Sequence, residues 1–417
     1  MMSIELLVGE ARQLRGYVLR SVGSGLLVGA ADNDPAGVST YAVVGATHGY
    51  AFLWLMPICA LLLIAIQRMC ARLAGTTRQG LGETIRARYG RGWALGVALT
   101  MVLIGLATLS ADLVALAEGV SLLTGAPARL LVVPIVLFAL TVTVALPYEK
   151  FARYVTWLAG LFACFVVAAV LAHPDWHAVL QGTFVPPIRL DGGYLVAAVG
   201  TLGTTVTPYL FFWQARAELA EPRLVDGRGP RLDVVVAMCF ANAVAYFIMV
   251  AAAGLAPGQG IQTATDAARA LVPAVGAASS TLFALGLVGS GLVATPILAA
   301  STSAAVAEAM GWPAGLEKRG RGAPHYFATI VLAFAVAGAI GLLPIEPIAA
   351  LFYSQVLAGL LAPPLVALIV LLSGDRRVMG SRRAGQLERV LGSVAAVILT
   401  LAAALLVGTF LKGSMAA

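Results

Sequence analysis

Apolar residues run along this chain in stretches of about twenty or more, separated by short polar segments. A stretch of this length can cross a bilayer as an α-helix, in which every backbone N–H and C=O is bonded within the segment. The pattern therefore predicts an all-α integral membrane protein. Its transmembrane helices number about eleven and cover residues 18–47, 51–73, 93–123, 130–146, 151–172, 194–215, 232–254, 275–307, 325–344, 347–373 and 387–410.

Two of these spans are interrupted near their middle by polar residues and a proline. The first span is interrupted by Ala31-Asp32-Asn33-Asp34-Pro35-Ala36-Gly37 and the sixth by Thr204-Thr205-Val206-Thr207-Pro208-Tyr209. A carboxylate at the bilayer centre costs about 2.5–3.5 kcal/mol on insertion scales, and a proline removes a backbone donor. Both segments therefore predict helices that are broken inside the membrane.

The two breaks occupy corresponding places in two sets of five spans. This arrangement is typical of inverted-repeat transporters, which bind their substrate between two discontinuous helices near the bilayer midplane. We therefore predict a single transporter domain over residues 1–417, with repeats at about 18–172 and 194–373 and an extra helix at about 387–410.

Composition and charge exclude several classes of protein. With 60% hydrophobic residues, 11% charged residues and a mean hydropathy of +0.92, the chain does not fit a soluble domain. The formal charge of +7 could indicate a nucleic-acid partner, but all but four of the 27 Lys and Arg residues lie on one side of the predicted spans. We expect a cell (inner) membrane protein, for which the positive-inside rule predicts a cytoplasmic N-terminus and an external C-terminus. We expect no nucleic-acid partner and no removable signal peptide.

Asp34 is the first candidate for binding a cation, and Asp32 and Asn33 line the same break. Hard cations prefer oxygen ligands, and the carbonyls of Ala31 and Thr204 would lie at the negative ends of half-helices. The alternative interpretation of Asp34 is structural, because an Asp followed by a Pro forms a good N-cap and first helical turn. At bilayer depth and opposite a second break, we expect Asp34 to be a ligand.

Three further polar residues each have a functional and a structural interpretation. Thr207 is a candidate ligand, although threonines in membrane helices commonly bond to their own preceding turn. Gln355 in the tenth span is either a ligand or a hydrogen-bonding contact between helices. Asp112 in the third span is either a proton or ion relay or a carboxylate in a water-filled vestibule.

The chain resembles the NRAMP family of divalent-metal transporters along nearly its whole length. The resemblance is carried by the two breaks and by Met69-Cys70-Ala71-Arg72-Leu73, Thr77-Arg78-Gln79-Gly80-Leu81-Gly82-Glu83, His173-Pro174-Asp175-Trp176, Ser354-Gln355-Val356 and Arg377-Val378-Met379-Gly380. It implies a LeuT-type inverted repeat and import of divalent cations into the cytoplasm. We expect no enzymatic activity, no cofactor and no obligatory protein partner, so that the metal ion and the lipid bilayer are the partners.

Several positions depart from the pattern of the family. The resemblance implies that Asp34 is the retained metal-binding aspartate, whereas Gly37 stands at the position of a metal-binding asparagine. Thr207 stands at the position of a metal-binding methionine and Tyr209 at that of a histidine. Asp112 is the one acid retained of a pair. Gly37 and Tyr209 are accordingly expected to line the site.

These departures predict a wider site with harder ligands. Thioethers favour transition metals, whereas Mg²⁺ prefers oxygen ligands and keeps several of its waters. The substitutions resemble the magnesium-transporting branch of the family. Because the missing histidines remove groups that titrate near neutral pH, proton coupling is expected to be weak or absent.

We therefore predict a secondary transporter that imports Mg²⁺, Mn²⁺ or both by alternating access. The first alternative is a proton-coupled importer of Mn²⁺ or Fe²⁺. A second is an amino-acid or organic-cation transporter of the same fold, although Asp34 disfavours an amino-acid substrate because half-helix N-termini free of acid would bind its carboxylate. A third is a membrane scaffold or metal sensor, for which we find no signalling module.

Overall fold

The computed structural model describes residues 28–145, 162–220, 232–253, 279–316 and 322–415. Within these ranges the regular elements are all helical. The helices are α1 (28–32), α2 (Pro35–His48), α3 (Leu55–Thr77), α4 (Leu81–Tyr89), α5 (Arg91–Thr124), α6 (Ala128–Ala145), α7 (Ala163–Leu171), α8 (Trp176–Phe184), α9 (Gly192–Thr205), α10 (Pro208–Ala220), α11 (Leu232–Ala253), α12 (Ser279–Met310), α13 (Pro324–Gly341), α14 (Pro347–Leu361), α15 (Pro363–Gly374), α16 (Arg376–Met379) and α17 (Gln386–Met415).

The spans predicted from the apolar pattern match the helices of the described part of the chain. Seven helices there are long and apolar enough to cross a membrane, the interrupted pair α9 and α10 makes an eighth span, and the bent pair α14 and α15 makes a ninth. The two other predicted spans, 18–47 and 151–172, lie partly outside the described residues. The prediction of an all-α membrane fold is confirmed.

The tenth predicted span contains a bend that the sequence analysis missed. α14 ends at Leu361, α15 begins at Pro363, and the two helices differ in direction by 43°. Pro363 and Pro364 have no backbone N–H, so two hydrogen bonds of a continuous helix cannot form there. The Pro-Pro pair was the available sequence signal for this bend.

Glycines let both halves of the broken first span approach α11 closely. A methyl group built on Gly29, before the break, would lie 2.5 Å from the carbonyl oxygen of Ala237. One built on Gly45, after the break, would lie 2.5 Å from the carbonyl oxygen of Met249. Small residues at helix interfaces permit the close packing that holds membrane helices together. The break is therefore held against a continuous neighbouring helix.

Charged side chains join several helix ends on the side that is predicted to face the cytoplasm. Arg216 of α10 lies 2.7 Å from Glu308 of α12, and Glu308 also accepts a 2.6 Å hydrogen bond from the N–H of Gly82 in α4. Arg88 of α4 contacts Asp375, which follows α15, at 2.5 Å. The hydrogen bond from Arg88 lowers the pKa of Asp375 below its usual value. These contacts tie α4 to α12 and to the end of α15, and Arg216 joins α10 to the same Glu308.

Candidate metal site

The break in the first span lies at Asn33 and Asp34, between the end of α1 and the start of α2. Pro35 is the first residue of α2, a position where its missing N–H costs no helical hydrogen bond. Oδ1 of Asp34 accepts a 2.6 Å hydrogen bond from the N–H of Gly37, so Asp34 is the N-cap of α2. The side chain of Asp34 is only 2% exposed. The capping role that the sequence left open is therefore present, and it engages one of the two carboxylate oxygens.

The break in the sixth span lies at Val206 and Thr207, between α9 and α10. The hydroxyl of Thr207 lies 2.5 Å from the carbonyl oxygen of Thr204 and 3.1 Å from Oδ1 of Asp32. A hydroxyl has one proton, so it donates to one of these two oxygens at a time. The contact with Thr204 is the local back-bond considered above, whereas the contact with Asp32 joins the second break to the first.

Tyr209 makes the second connection between the breaks. Its hydroxyl donates to the carbonyl of Ala31 at 2.7 Å and lies 3.2 Å from Oδ2 of Asp34. A further contact joins α2 to α9, because the hydroxyls of Tyr41 and Thr205 are 3.1 Å apart. The two interrupted helices therefore meet through side-chain contacts within the buried interior of the bundle.

Asp112 brings another carboxylate to the first break. It lies in the middle of α5, is fully buried, and its Oδ1 accepts a 3.0 Å hydrogen bond from the N–H of Ala36. Its second oxygen, Oδ2, has no hydrogen-bond partner within the described structure. Asp34 and Asp112 thus both accept bonds from the first N–H groups of α2, where the positive end of the helix dipole favours negative charge.

Asn33 and Gln355 are buried, but they are not hydrogen-bonded to Asp34. The amide nitrogen of Asn33 lies 3.1 Å from the carbonyl oxygen of Gly29 and 3.3 Å from that of Ala241. The amide nitrogen of Gln355 donates to the hydroxyl of Ser354 at 3.2 Å. These contacts tie Asn33 to α11 and Gln355 to its own helix.

The space beside Gly37 is partly filled by a residue that the sequence analysis considered only for its carbonyl. A methyl group built on Gly37 would lie 2.8 Å from Oγ1 of Thr204 and 3.1 Å from Oδ1 of Asp34. The Thr204 side chain thus lies against this face of Gly37, and the wider site expected from Gly37 stays a prediction. The run of three threonines in residues 204–207 was the signal that could have pointed to it.

The groups that meet at the two breaks offer oxygen atoms as possible metal ligands. They come from the carboxylates of Asp32, Asp34 and Asp112, from hydroxyls and from backbone carbonyls. Among the described residues, no three His, Cys, Asp or Glu side chains form a group that could hold a metal ion by themselves. A few acids supplemented by neutral oxygens suit hard divalent cations, whereas soft metals prefer sulfur ligands.

Comparison with known proteins assigns the chain to a family. The model of the Nramp family, natural resistance-associated macrophage protein-like, matches residues 25–409. The divalent metal cation transporter MntH of Deinococcus radiodurans is 29% identical over 398 residues, which covers 92% of this chain and 88% of that protein. This relative is a transporter, in agreement with the prediction that the chain is not an enzyme.

Solved structures share the fold. A manganese transporter of Eremococcus coleocola aligns with a TM-score of 0.77 at 21% identity, covering 94% of this chain and 86% of that one. Mhp1, a nucleobase-cation-symport-1 family transporter, aligns with a TM-score of 0.56 at 13% identity over 93% of each chain. These likenesses bear out the LeuT-type architecture that the family resemblance implies. Since the family model extends over nearly the whole sequence, this protein belongs to the Nramp family.

Proposed function

We propose that this protein imports divalent metal cations, Mg²⁺, Mn²⁺ or both, into the cytoplasm by alternating access. The observation that carries the proposal is the meeting of two helix breaks around Asp34, joined by the hydroxyls of Thr207 and Tyr209. Non-helical backbone at membrane depth is tolerated where it is buried in protein or lines a cavity, and it is the place where transporters of this architecture bind ions. The name of the Deinococcus radiodurans relative supports the substrate class.

Binding would exchange hydrogen bonds for metal–oxygen contacts. Oδ2 of Asp34 and the carbonyl of Ala31 both lie next to the hydroxyl of Tyr209, so rotation of that hydroxyl frees two oxygens on the same side of the break. The carbonyl of Thr204 is freed in the same way when the hydroxyl of Thr207 turns away. Each carbonyl oxygen has two lone pairs, so a cation can also share it with the hydroxyl.

The proposed topology follows from charge and from the position of the breaks. We propose one domain over residues 1–417, built of the two inverted five-helix repeats and the extra helix, with the N-terminus in the cytoplasm and the C-terminus outside. Alternating access would then be a movement of one group of helices against the other around the two breaks. The support for the repeats is the corresponding place of the two breaks, and the support for the orientation is the distribution of Lys and Arg.

Flux measurements test the proposed function directly. The purified protein is reconstituted in liposomes, and uptake of Mg²⁺, Mn²⁺ and Ca²⁺ is measured separately, with and without a pH gradient. We expect saturable uptake of Mg²⁺, Mn²⁺ or both that exceeds the leak of empty liposomes. Uptake of none of these cations would contradict the proposal. Uptake of Mn²⁺ that requires a pH gradient would favour the proton-coupled alternative.

Thr207→Met is expected to shift selectivity towards softer metals. The change places a thioether beside Asp32, where the structure has a hydroxyl. We expect the affinity for Mn²⁺ or Cd²⁺ relative to Mg²⁺ to rise by roughly 1–2 kcal/mol, on the order of tenfold. Competition uptake assays measure this ratio. An unchanged ratio in a variant that still transports would show that Thr207 does not contact the cation.

Transport is expected to be weakly coupled to protons or not coupled at all. The oxygens at the two breaks belong to carboxylates, hydroxyls and carbonyls, and the four histidines, His48, His173, His177 and His325, lie outside both breaks. Asp112 is the remaining relay candidate, because its Oδ2 has no partner in the described structure. A pH-sensitive dye inside the liposomes reports protons that enter with the metal. Acidification that scales with metal uptake and disappears in Asp112→Asn would overturn this expectation.

A further inference from the structure

We propose that the hydroxyl of Thr204 is an additional oxygen ligand of the transported cation, on the face of the first break where Gly37 has no side chain. The inference rests on the proposed function, since it requires a cation at Asp34. It concerns the side chain of Thr204, which acts independently of the backbone carbonyl of the same residue.

The first observation is that the Thr204 hydroxyl is buried without a partner. Thr204 lies in the last turn of α9 and is 1% exposed, and no hydrogen bond to its Oγ1 is found within the described structure. The neighbouring hydroxyls are bonded, because that of Thr205 donates to the carbonyl of Thr201 and that of Thr207 to the carbonyl of Thr204. Buried polar groups in proteins nearly always have a partner, so an unpaired hydroxyl at a candidate site points to a ligand.

The second observation is where the hydroxyl lies. The position of a methyl group on Gly37 is 2.8 Å from Oγ1 of Thr204 and 3.1 Å from Oδ1 of Asp34. Oγ1 of Thr204 and Oδ1 of Asp34 therefore flank the same face of Gly37, which no side chain covers. A cation held by Asp34 on this side of the break would lie within reach of Thr204.

Charge at this point is compatible with a cation. The N-terminus of α2 carries a positive partial charge, which by itself would disfavour a cation. Two carboxylates offset it, because Asp34 accepts a bond from the N–H of Gly37 and Asp112 accepts one from the N–H of Ala36. The hydroxyl of Thr204 adds a neutral oxygen of the kind that Mg²⁺ and Mn²⁺ accept as a ligand.

The geometry also makes the Thr204 hydroxyl and a side chain at residue 37 competitors for one space. A separation of 2.8 Å is shorter than van der Waals contact, so any side chain on residue 37 displaces Oγ1 of Thr204. The absence of a side chain at Gly37 thereby leaves the hydroxyl its place against this face of the first break. This competition predicts energetic coupling between residues 37 and 204, which measurements on double variants detect.

Conservative substitutions at Thr204 test the inference. Thr204→Val keeps the shape of the side chain and removes the hydroxyl, whereas Thr204→Ser keeps the hydroxyl. We expect Thr204→Val to weaken binding of Mn²⁺ and of Mg²⁺ about tenfold in isothermal titration, and Thr204→Ser to stay within about threefold of the unmodified protein. Thr201→Val is the matched control, since the Thr201 hydroxyl is also buried and unpaired but lies one turn away on the same helix. The control is expected to bind both metals normally.

A double-variant cycle supplies an independent measurement. Gly37→Ala is expected to weaken binding when Thr204 is present and to have a smaller effect in the Thr204→Ala background, because the displaced hydroxyl is then absent. Normal binding by both Thr204→Val and Thr204→Ala would overturn the inference, as would equal losses in Thr204→Val and Thr201→Val. If the unmodified protein transports metal while these results hold, the proposed function survives without Thr204. If the unmodified protein binds and transports no divalent cation, both proposals fail.

Discussion

Asp34→Ala is expected to abolish metal binding and transport while the protein is still produced and inserted in the membrane. Asp34 is the acid at the first break, and its Oδ2 faces the second break through Tyr209. Two unit charges 4 Å apart attract by about 4 kcal/mol at an effective dielectric constant of 20, and a divalent ion is attracted more strongly. Loss of this attraction weakens binding by more than about a hundredfold. Isothermal titration and liposome uptake with Mn²⁺ and Mg²⁺ measure the two effects.

A control is needed because Asp34 also caps α2. Asp34→Ser removes the carboxylate but keeps an oxygen that can accept the N–H of Gly37, since serine is a good N-cap residue. Asp34→Ser is therefore expected to be as stable as the unmodified protein and as inactive as Asp34→Ala. Binding at normal affinity in Asp34→Ser would show that the capping role, rather than metal ligation, explains the residue.

Glu308→Ala is expected to cause the largest loss of stability among single changes outside the site. Glu308 is fully buried, contacts Arg216 at 2.7 Å and accepts the N–H of Gly82. Removing one partner of a buried ion pair costs about 3–5 kcal/mol. Arg216 then loses its close partner and keeps only the longer 3.8 Å contact with Glu83 and a hydrogen bond to the carbonyl of Ala314. Thermal unfolding of the purified protein in detergent measures the effect, and Glu308→Gln, which keeps an acceptor for Gly82, is expected to lose less.

Glu388→Ala is the matched control for this prediction. Glu388 of α17 also pairs with two arginines, Arg68 and Arg72 of α3, each at 3.1 Å. These side chains are partly exposed, and exposed ion pairs contribute about 0–1 kcal/mol. The control is therefore expected to unfold close to the normal temperature. Equal losses in the two variants would contradict the assignment of Glu308 as a buried structural charge.

Most of the fold could be predicted from the sequence because membrane insertion depends on local properties. A run of apolar residues spans the bilayer whatever its neighbours are, since its backbone hydrogen bonds are made within the helix. Pro35 and Pro208, together with the polar residues before them, predicted the two breaks for the same local reason. The bend at Pro363 was equally local, and it was missed because the residues around it are apolar and the span was treated as continuous.

The candidate site was predictable only in part. Asp34 and Thr207 could be named because a polar residue at membrane depth is costly and needs a reason. Their partners could not be named, because a hydrogen bond between residues 32 and 207 depends on how two helices cross. The role of Asn33 depends in the same way on α11, because the amide nitrogen of Asn33 lies beside the carbonyl of Ala241 in that helix.

The sequence by itself determined that the chain crosses a membrane many times, that two of its spans are broken, and that an acid lies at the first break. These properties follow from the transfer of single residues between water and lipid and from the missing N–H of proline. Only the tertiary structure decided which oxygens surround Asp34, that Asp112 reaches the N-terminus of α2, and that the Thr204 hydroxyl lies beside Gly37. Contacts between residues so far apart in the chain depend on the packing of whole helices, which small residues such as Gly29 and Gly45 permit but do not specify by themselves.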